Sequence, residues 1–380
     1  MREELVDHFE RDIGRPPAGA RERILSGLRG APSQRQPRRH LQWAAWSAAV
    51  LLAVLVVGTL VEARQGPGRQ PAAGHGEVPV PRSGAAVAYD PRRGLLVMFG
   101  GTTDGVTPLD DTWTWDGTHW SRQHPAASPP QRTVTTEVTP GRGSKPVAVR
   151  PLLMAYDGVS GTLVLYGVPG GTWTWDGQTW QPHAGSTAPD GAVAMAYDPA
   201  SRAVLLYLAS TGGTSQTWRW DGASWTQLRP RTAPDVVRGA MAFDGRRLLL
   251  FGTPSGLVQG QHLTETWAWD GGDWSPLSPA VRLPSSEPYP AAYDQADDRL
   301  VTLIDPGAAP SAETWRWDGA SWSREHPRHS PPARSGAAVW YDSRTRRVVL
   351  YGGFQPGGVA LGDMWAWDGR DWNLLEETKR

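Results

Sequence analysis

Histidine residues are the first candidates for chemistry in this sequence. His326 and His329 lie three positions apart, a spacing compatible with a bound metal ion. However, SREHPRHSPPAR (323–334) is a copy of SRQHPAASPPQR (121–132), which indicates that the first histidine of each segment belongs to a repeat. No carboxylate cluster accompanies the pair, so we expect neither a metal site nor a cofactor.

Arginine and carboxylate residues recur together at a second set of positions. Each arginine begins one predicted strand and each acid precedes another in the same repeat, at the same predicted end of the sheet. The pairs are Arg82 with Asp111, Arg238 with Glu265, and Arg334 with Asp363. We favour structural ion pairs because the two types occur together in three repeats, and a charged ring that binds a ligand is the alternative.

The sequence carries no common enzyme signature. It has no G-x-S-x-G, H-E-x-x-H or P-loop pattern. It also has no cysteine, which excludes a thiolate nucleophile, a cysteine metal cluster and disulfides. We therefore expect no enzyme, although the Asp and Glu residues of the loops leave a carboxylate glycosidase open as an alternative.

Composition limits the fold classes and the kinds of partner that the chain can have. The 44 glycines and 34 prolines indicate many turns and few long helices. The formal net charge is zero, so nothing in the charge balance predicts a nucleic-acid partner.

A nine-residue pattern with three tryptophans identifies the elements that position these residues. It occurs six times, first as TWTWDGTHW (112–120) and last as MWAWDGRDW (364–372). The aspartates of successive Asp-Gly pairs are 60, 45, 49, 48 and 50 residues apart. Each copy follows a Tyr-Asp or Phe-Asp and an apolar run, which gives four short strands per unit joined by hairpin turns. Such a unit is typical of a propeller blade, because one four-stranded sheet cannot bury both faces alone. We predict an all-β propeller with six blades.

The tryptophans belong mostly to these repeats. Eighteen of the 21 recur in every unit, so we interpret them as packing between blades and not as sugar-stacking residues. Trp340 is an exception, because it stands where the other repeats have alanine. It either lines the central channel or fills a gap.

The repeat resembles the kelch family, on the apolar strand ending in Gly-Gly, the aromatic third strand and the tryptophan of the fourth. The resemblance covers 82–375, but the double glycine is complete only at Gly100-Gly101 and Gly352-Gly353. WD40 repeats share the Trp-Asp pair, yet their Gly-His partner is absent here and their period is shorter. The resemblance implies a six-bladed kelch-like propeller. The galactose oxidase type of kelch enzyme needs a cysteine crosslink, which this chain cannot form.

The N-terminal region has a different organisation. Residues 42–61 contain no charge and are long enough for a bilayer-spanning helix, so we predict a transmembrane helix over 42–62. Arginines before it favour a cytoplasmic N-terminus. Residues 1–41 contain two short amphipathic segments, and 63–81 form a linker rich in Pro and Gly. The domain prediction is thus a cytoplasmic helical stub, a plasma-membrane span, a linker and an extracytoplasmic propeller over 82–380.

Alternation of the strands places two kinds of loop at opposite ends of each blade. The 1–2 and 3–4 turns are nearly constant, whereas the 2–3 and 4–1 loops vary, and we call the second end the variable end. Binding residues concentrate on variable loops of a rigid fold. The longest loop of the variable end includes 122–149. Its TVTTEVT stretch predicts an extra two-stranded ribbon, and a disordered insertion is the alternative. Candidate ligand-binding residues are Arg132, Glu137, Arg142, Lys145, His183, His262 and Trp340.

These observations predict a membrane-anchored, extracytoplasmic binding module with an unknown envelope protein or glycan as its partner. One alternative is transmembrane signalling, in which 1–41 hold a cytoplasmic regulator such as a sigma factor. The stub resembles membrane-anchored anti-sigma proteins in its placement only, since their His/Cys zinc motif is missing. The other alternative is an envelope hydrolase that acts on carbohydrate.

Overall fold

The computed structural model describes the propeller and little before it. Side chains are described for residues 77–130, 152–183, 185, 191–209, 214–256, 264–284, 290–307 and 309–376, and the backbone alone for 136–139 and 143–146. The predicted stub and transmembrane helix lie outside these residues. Within them, no helix has the length and apolar character needed to cross a membrane.

Six four-stranded antiparallel sheets form the blades, as predicted, and in each sheet neighbouring strands follow one another along the chain. Blade one contains β1 (Ala86–Asp90), β2 (Leu95–Thr102), β3 (Pro108–Trp115) and β4 (Trp120–Gln123). Blade two contains β7 (Leu153–Asp157), β8 (Thr162–Val168), β9 (Gly171–Trp175) and β10 (Trp180–His183). Blade three contains β11 (Ala192–Asp198), β12 (Ala203–Leu208), β13 (Gln216–Trp220) and β14 (Trp225–Leu228).

The second half repeats this arrangement. Blade four contains β15 (Val236–Phe243), β16 (Leu248–Pro254), β17 (Glu265–Trp269) and β18 (Trp274–Leu277). Blade five contains β19 (Ala291–Asp294), β20 (Arg299–Ile304), β21 (Glu313–Trp317) and β22 (Trp322–Arg324). Blade six contains β23 (Ala338–Asp342), β24 (Arg347–Tyr351), β25 (Met364–Trp367) and β26 (Trp372–Glu376). The first strand of each blade contacts the first strand of the next, and β23 contacts β1, so the ring is closed.

Aspartates fix the constant turns of every blade. The Asp of each Trp-Asp-Gly accepts the backbone N–H groups two and three residues later, as Asp318 does from Ala320 and Ser321. The Asp that ends each first strand is buried and accepts the N–H two residues on, as Asp198 does from Ala200. These hydrogen bonds are Asx turns, which explains why the same acids recur at the constant end.

Tryptophans link each blade to its neighbour, as predicted. The second and third tryptophans of each repeat are buried between blades. At five interfaces the indole Nε1 of the third tryptophan donates to a threonine of the preceding blade. The pairs are Trp180 to Thr112, Trp225 to Thr172, Trp274 to Thr217, Trp322 to Thr266, and Trp372 to Thr314. The sixth interface differs, because Met364 replaces the threonine and Trp120 packs 5.3 Å from the Tyr351 ring.

The interface between blades six and one, which we call the seam, closes the ring. No blade is split between the two ends of the chain. Residues 79–84 nevertheless bind blade six: the Arg82 N–H donates to the Leu361 carbonyl, and the Gly353 N–H donates to the Arg82 carbonyl. The last linker residues take part too, since the Tyr351 hydroxyl donates to the Pro79 carbonyl at 2.9 Å. The chain entering blade one therefore acts as a clasp across the seam.

Two of the three expected arginine–acid ion pairs are present, both beside the seam. Arg82 binds both carboxylate oxygens of Asp111 at 2.6 and 2.8 Å, and Arg334 binds Asp363 at the same two distances. Each arginine also donates to a glycine carbonyl, Arg82 to that of Gly100 and Arg334 to that of Gly352. Each of these glycines is the first residue of a complete double glycine. Both arginines are buried, so these pairs are structural and not a ring of charge open to a ligand.

Blade four is arranged differently. Arg238 lies exposed within β15, where a bulge between Val236 and Arg238 extends the strand. Gly252 of the paired strand stands where blades one and six have a double glycine. A Cβ atom on Gly252 would lie 2.0 Å from the Arg238 carbonyl oxygen, so this close approach of the backbones requires glycine. Arg238 therefore does not reproduce the buried geometry of Arg82.

Candidate functional site

The structure places the predicted site residues in several different settings. Arg132, Arg142 and His262 lie outside the described residues. Glu137 and Lys145 are paired opposite one another in a two-stranded ribbon, β5 (Thr136–Thr139) and β6 (Gly143–Pro146). This is the ribbon expected from TVTTEVT, and the structure describes only its backbone.

His183 and Trp340 lie between blades. His183 is half-buried at the end of β10, where its ring meets Trp220 edge-on at 5.1 Å and Nε2 lies 2.9 Å from the Thr174 hydroxyl. Burial lowers the pKa of His183, which favours the neutral imidazole. Trp340 is buried among Trp113, Trp115 and neighbouring residues of the seam. It fills a gap and does not line the central cavity.

Three other histidines, His124, His326 and His329, belong to the connections that lead from one blade to the next. The connection into blade six places the His329 N–H and its Nδ1 on the carboxylate of Asp371, at 2.7 and 2.8 Å. The connection into blade two also binds the 3–4 turn of the blade that it enters. The Ala127 carbonyl accepts the Trp180 N–H, and the Ala127 N–H donates to the Thr179 hydroxyl. Within the described residues no group of three His, Asp or Glu side chains is arranged to hold a metal ion.

The central cavity is small and lacks catalytic groups. It has a volume of about 270 Å³ and is lined by the inner strands, with side chains such as Val87, Val193 and Ala291. Every lining residue is Gly, Ala, Val, Leu, Met or Pro. Within the described residues this lining offers no charged or hydroxyl side chain to a polar ligand. The grooves between adjacent blades do carry such side chains.

The first tryptophan of each repeat lies at the variable end of such an interblade groove. In five blades its indole Nε1 donates to an acid or amide two residues earlier. The pairs are Trp113 with Asp111, Trp218 with Gln216, Trp267 with Glu265, Trp315 with Glu313, and Trp365 with Asp363. In blade two the acceptor position is Gly171, and the Trp173 nitrogen is buried with no partner among the described residues.

These six positions differ in how much they offer a ligand. The acids of blades one and six are held by buried arginines. In blade five, Trp315 is buried and Glu313 pairs with Arg324 at 2.9 Å. Blade four combines a half-buried ring, Trp267, with a carboxylate, Glu265, that accepts its N–H at 2.8 Å. The groove between blades three and four is therefore our candidate site.

Residues from both blades surround this groove. Asp235 is exposed and accepts the Ser255 hydroxyl at 2.5 Å. Gly239 pairs with Gly252, which pairs with Glu265, so Arg238 enters the sheet at the level of that carboxylate. The groove thus offers carboxylates, a hydroxyl and an indole ring, the groups that hydrogen-bond and stack with a polyhydroxylated ligand.

Tyr207 forms the base of the same groove. Its hydroxyl donates to the Pro234 carbonyl at 2.7 Å and accepts the Val236 N–H. Burial raises the pKa of Tyr207, and the charges of Asp235 and Glu265 raise it further. The hydroxyl therefore stays protonated and holds the connection that carries Asp235 in place.

Sequence reasoning found Glu265 and Arg238 as a pair but missed Asp235, Ser255 and the openness of Trp267. The signal that could have set blade four apart is its single glycine, Gly252. Among the described residues, the buried arginines occur in the two blades that have a double glycine. Four of the six first tryptophans, Trp173, Trp218, Trp267 and Trp365, are half-buried, and this difference from the buried Trp113 and Trp315 leaves no mark in the residue types.

Comparison with known proteins supports the fold. No protein-family model matches the chain, and no curated protein is similar to it at a significant level. Among solved structures, the SapL1 lectin in complex with α-methyl fucoside has a TM-score of 0.52 at 16% identity, covering 79% of this chain and 97% of that one. A mutant of the Aleuria aurantia lectin in complex with Fucα1-6GlcNAc has a TM-score of 0.52 at 12% identity, covering 78% and 96%. YjhT has a TM-score of 0.50 at 11% identity, covering 79% and 99%. At these identities the likeness establishes the six-bladed propeller fold alone.

Proposed function

We propose that this protein is a membrane-anchored, extracytoplasmic binding module whose propeller binds a glycan in the groove between blades three and four. In this proposal the span over 42–62 holds the chain in the plasma membrane, and the kelch-like repeats supply a rigid ring without catalysis. Arrangement of the groove is the observation that carries the proposal.

Two features of the groove favour a sugar. The Trp267 ring is partly open and offers a flat apolar face, while Glu265, Asp235 and Ser255 place acceptors and a donor around it. Polar atoms placed around an aromatic surface suit a ligand with hydroxyl groups on an apolar ring. The SapL1 and Aleuria lectin propellers were solved with fucosides, which adds support for a glycan as the ligand class.

Glu265→Gln is the sharpest test. Gln216 accepts the Trp218 N–H at 2.9 Å in the equivalent place of blade three, so glutamine keeps the tryptophan hydrogen bond and removes only the charge. Glycan-array screening of the full chain in detergent, with α-methyl fucoside included, would select a ligand for calorimetry. We expect Glu265→Gln to weaken its binding roughly 10- to 100-fold, the usual effect of losing a hydrogen bond to a charged group.

Glu313→Gln is the matched control. It makes the same change at the equivalent position of blade five, where the neighbouring tryptophan is buried. Unchanged affinity is expected for this variant. Equal losses in both variants, or no glycan bound by the wild-type chain, would refute a glycan site in the groove between blades three and four.

The two carboxylates of the groove favour one second candidate, a carbohydrate hydrolase. Asp235 and Glu265 both lie close enough to Tyr207 to affect its pKa. Glycosidases act through two carboxyl groups that flank the bond they cleave. Release of reducing sugar from the bound glycan, abolished by Asp235→Asn and by Glu265→Gln, would favour the hydrolase over the binding module.

A further inference from the structure

Exposed apolar side chains are concentrated beside the seam. Of eight large hydrophobic side chains exposed in the described part of the chain, six belong to blade one, blade six or the residues that lead into blade one. These six are Val78, Val80, Val106, Val359, Leu374 and Leu375. Chance exposure of single side chains would scatter them over all six blades.

A hairpin in the 2–3 loop of blade six forms the centre of this region. The Gln355 N–H donates to the Val359 carbonyl, and the Leu361 N–H donates to the Gly353 carbonyl, which closes the hairpin. Residues 352–362 contain no charged side chain. This hairpin therefore presents no charged side chain to a surface that it contacts.

Neighbouring elements continue this apolar surface. The ring of Phe354 packs beside Gly105 of the blade one 2–3 loop, next to Val106. The entering chain lies alongside, since the Tyr351 hydroxyl donates to the Val80 carbonyl at 3.3 Å and Arg82 bridges the hairpin. We call the surface formed by Val78, Val80, Val106, Phe354 and Val359 the seam patch.

We propose that the seam patch rests on the lipid bilayer and sets the orientation of the propeller on the membrane. The inference depends on the membrane anchor of the proposed function. Sixteen positions separate Glu62, the end of the predicted span, from Val78. At about 3.3–3.6 Å per residue a fully extended linker reaches some 50–60 Å, so the surface where the linker enters lies within that distance of the bilayer. That surface is the seam patch.

Chemistry of the patch fits the boundary between lipid headgroups and acyl chains. Valine and phenylalanine side chains insert into this boundary by burying apolar area. The 2–3 loops of blades one and six, 103–107 and 352–363, contain no Lys or Arg. Their two acids are Asp104, whose carboxylate accepts the Val106 and Thr107 N–H groups, and Asp363, which pairs with Arg334. Contact therefore depends on apolar side chains and not on basic residues, so we expect it on vesicles of neutral phosphatidylcholine and at high salt.

The absence of cysteine from the chain allows a direct test. Single variants Val106→Cys and Val359→Cys would report on the patch. Val159→Cys and Val281→Cys are matched controls, since the patch valines are 40% and 48% exposed and the control valines 50% and 47%. Each full-length variant would carry a polarity-sensitive fluorophore and be reconstituted into phosphatidylcholine vesicles containing a lipid with a quencher near the headgroup.

We expect quenching at positions 106 and 359 to exceed that at 159 and 281 by at least about threefold, as interfacial insertion requires. Adding Val359→Asp to the Val106→Cys variant should reduce the quenching at 106 to the control level. Similar quenching at all four positions would overturn the inference, as would failure of the chain to float with the vesicles. Energy transfer between labelled copies without lipid would overturn it in favour of self-association.

Glycan binding is measured separately on the same labelled preparations. Loss of glycan binding with quenching intact removes the glycan from the proposed function and leaves the membrane contact standing. Intact glycan binding without selective quenching removes the membrane contact of the seam patch and leaves the glycan site standing. The two failures are therefore distinguishable.

Discussion

Arg82 and Arg334 are buried cations whose partners determine whether burial is tolerable. Each has a carboxylate and two carbonyl groups as hydrogen-bond acceptors, and each carboxylate also accepts a tryptophan N–H. With these partners the desolvation cost of the charges is offset. Removing one partner leaves the other as a buried, unpaired charge, so these sites should be the most sensitive ion pairs of the described propeller.

Arg82→Met should lower the free energy of unfolding by about 3–5 kcal/mol, because Asp111 loses its counter-ion in a buried setting. Urea unfolding followed by tryptophan fluorescence measures this change. Combining Arg82→Met with Asp111→Asn should restore part of the loss. If the double variant is as unstable as the sum of the two single variants, the residues are not coupled and the interpretation is wrong.

Arg231→Ala is the control for this comparison. Arg231 pairs with Asp273 at 2.9 Å, but its side chain is 91% exposed. An exposed pair is screened by water and salt, so its loss should not change the urea midpoint measurably. A large effect here would show that the assay responds to any loss of arginine.

The same acids predict how stability depends on pH. Burial raises the pKa of Asp111 and of Asp363, but hydrogen bonds and charge from the paired arginines outweigh it and lower the net pKa of both. A depressed pKa in the folded state gives stability that is complete above the unfolded pKa and is lost as pH falls toward the folded value. The contribution of these two acids to the unfolding free energy should thus be flat from pH 8 to about 5 and fall below about pH 4.

Urea titrations at stepped pH measure this dependence. The Asp111→Asn/Asp363→Asn variant should show a shallower decline in acid, because its two amides do not titrate. An unchanged slope would show that other carboxylates govern acid unfolding.

At the scale of elements, blades are joined by one repeated hydrogen bond between a tryptophan and a threonine. Thr217→Val keeps the shape of the side chain but leaves the buried Trp274 N–H without its acceptor. We expect a loss of about 1–3 kcal/mol in unfolding free energy. Thr226→Val, on the exposed outer strand of blade three, is the control and should be nearly neutral. Equal effects of the two variants would show that β-propensity, not the interblade bond, is being measured.

The elements were predictable from sequence to the extent that each copy of the repeat carries its own local signals. Asp-Gly turns, alternating tryptophans and Tyr-Asp turns fix four strands per unit, so the six blades followed directly. The contacts that the 4–1 connections make with the next blade were not predictable, because His329 and Ala127 bind turns that lie about 40 to 50 residues away. Contacts of this range leave no periodic pattern in the sequence.

The surroundings of the predicted site residues were not predictable from the sequence for a related reason. Residue type made His183 and Trp340 attractive, yet both are packed between blades, because their neighbours in space come from adjacent repeats. The groove between blades three and four is set apart by a half-buried tryptophan, Trp267, next to a carboxylate, Glu265, for which the described part of the chain shows no ion pair. Exposure depends on packing among several blades, which a single repeat does not encode.

At the scale of the whole molecule, a ring of equivalent blades must join its first blade to its last without a shared sheet. The seam is also the one interface without the Trp–Thr hydrogen bond, since Met364 takes the threonine position. Three other features compensate there: the clasp of residues 79–84, the filling by Trp340, and the buried Arg82, whose backbone bonds to blade six. Gly352 belongs to this group, because a Cβ atom there would lie 2.5 Å from the Arg82 carbonyl oxygen of the clasp. The two blades that carry a double glycine are thus the two that close the ring.

Removing the clasp should open the ring at the seam first. We expect a chain beginning at residue 85 to unfold roughly 5–10 °C below one beginning at residue 77, because it lacks Arg82 and the backbone bonds to Gly353 and Leu361. Hydrogen exchange locates the effect. The Gly353 amide, which donates to Arg82, should exchange only on global unfolding in the longer chain and by local opening in the shorter one. Amides in the middle of β12 and β16, opposite the seam, should keep their relative protection. If protection falls evenly around the ring instead, the clasp contributes to overall stability without holding the seam.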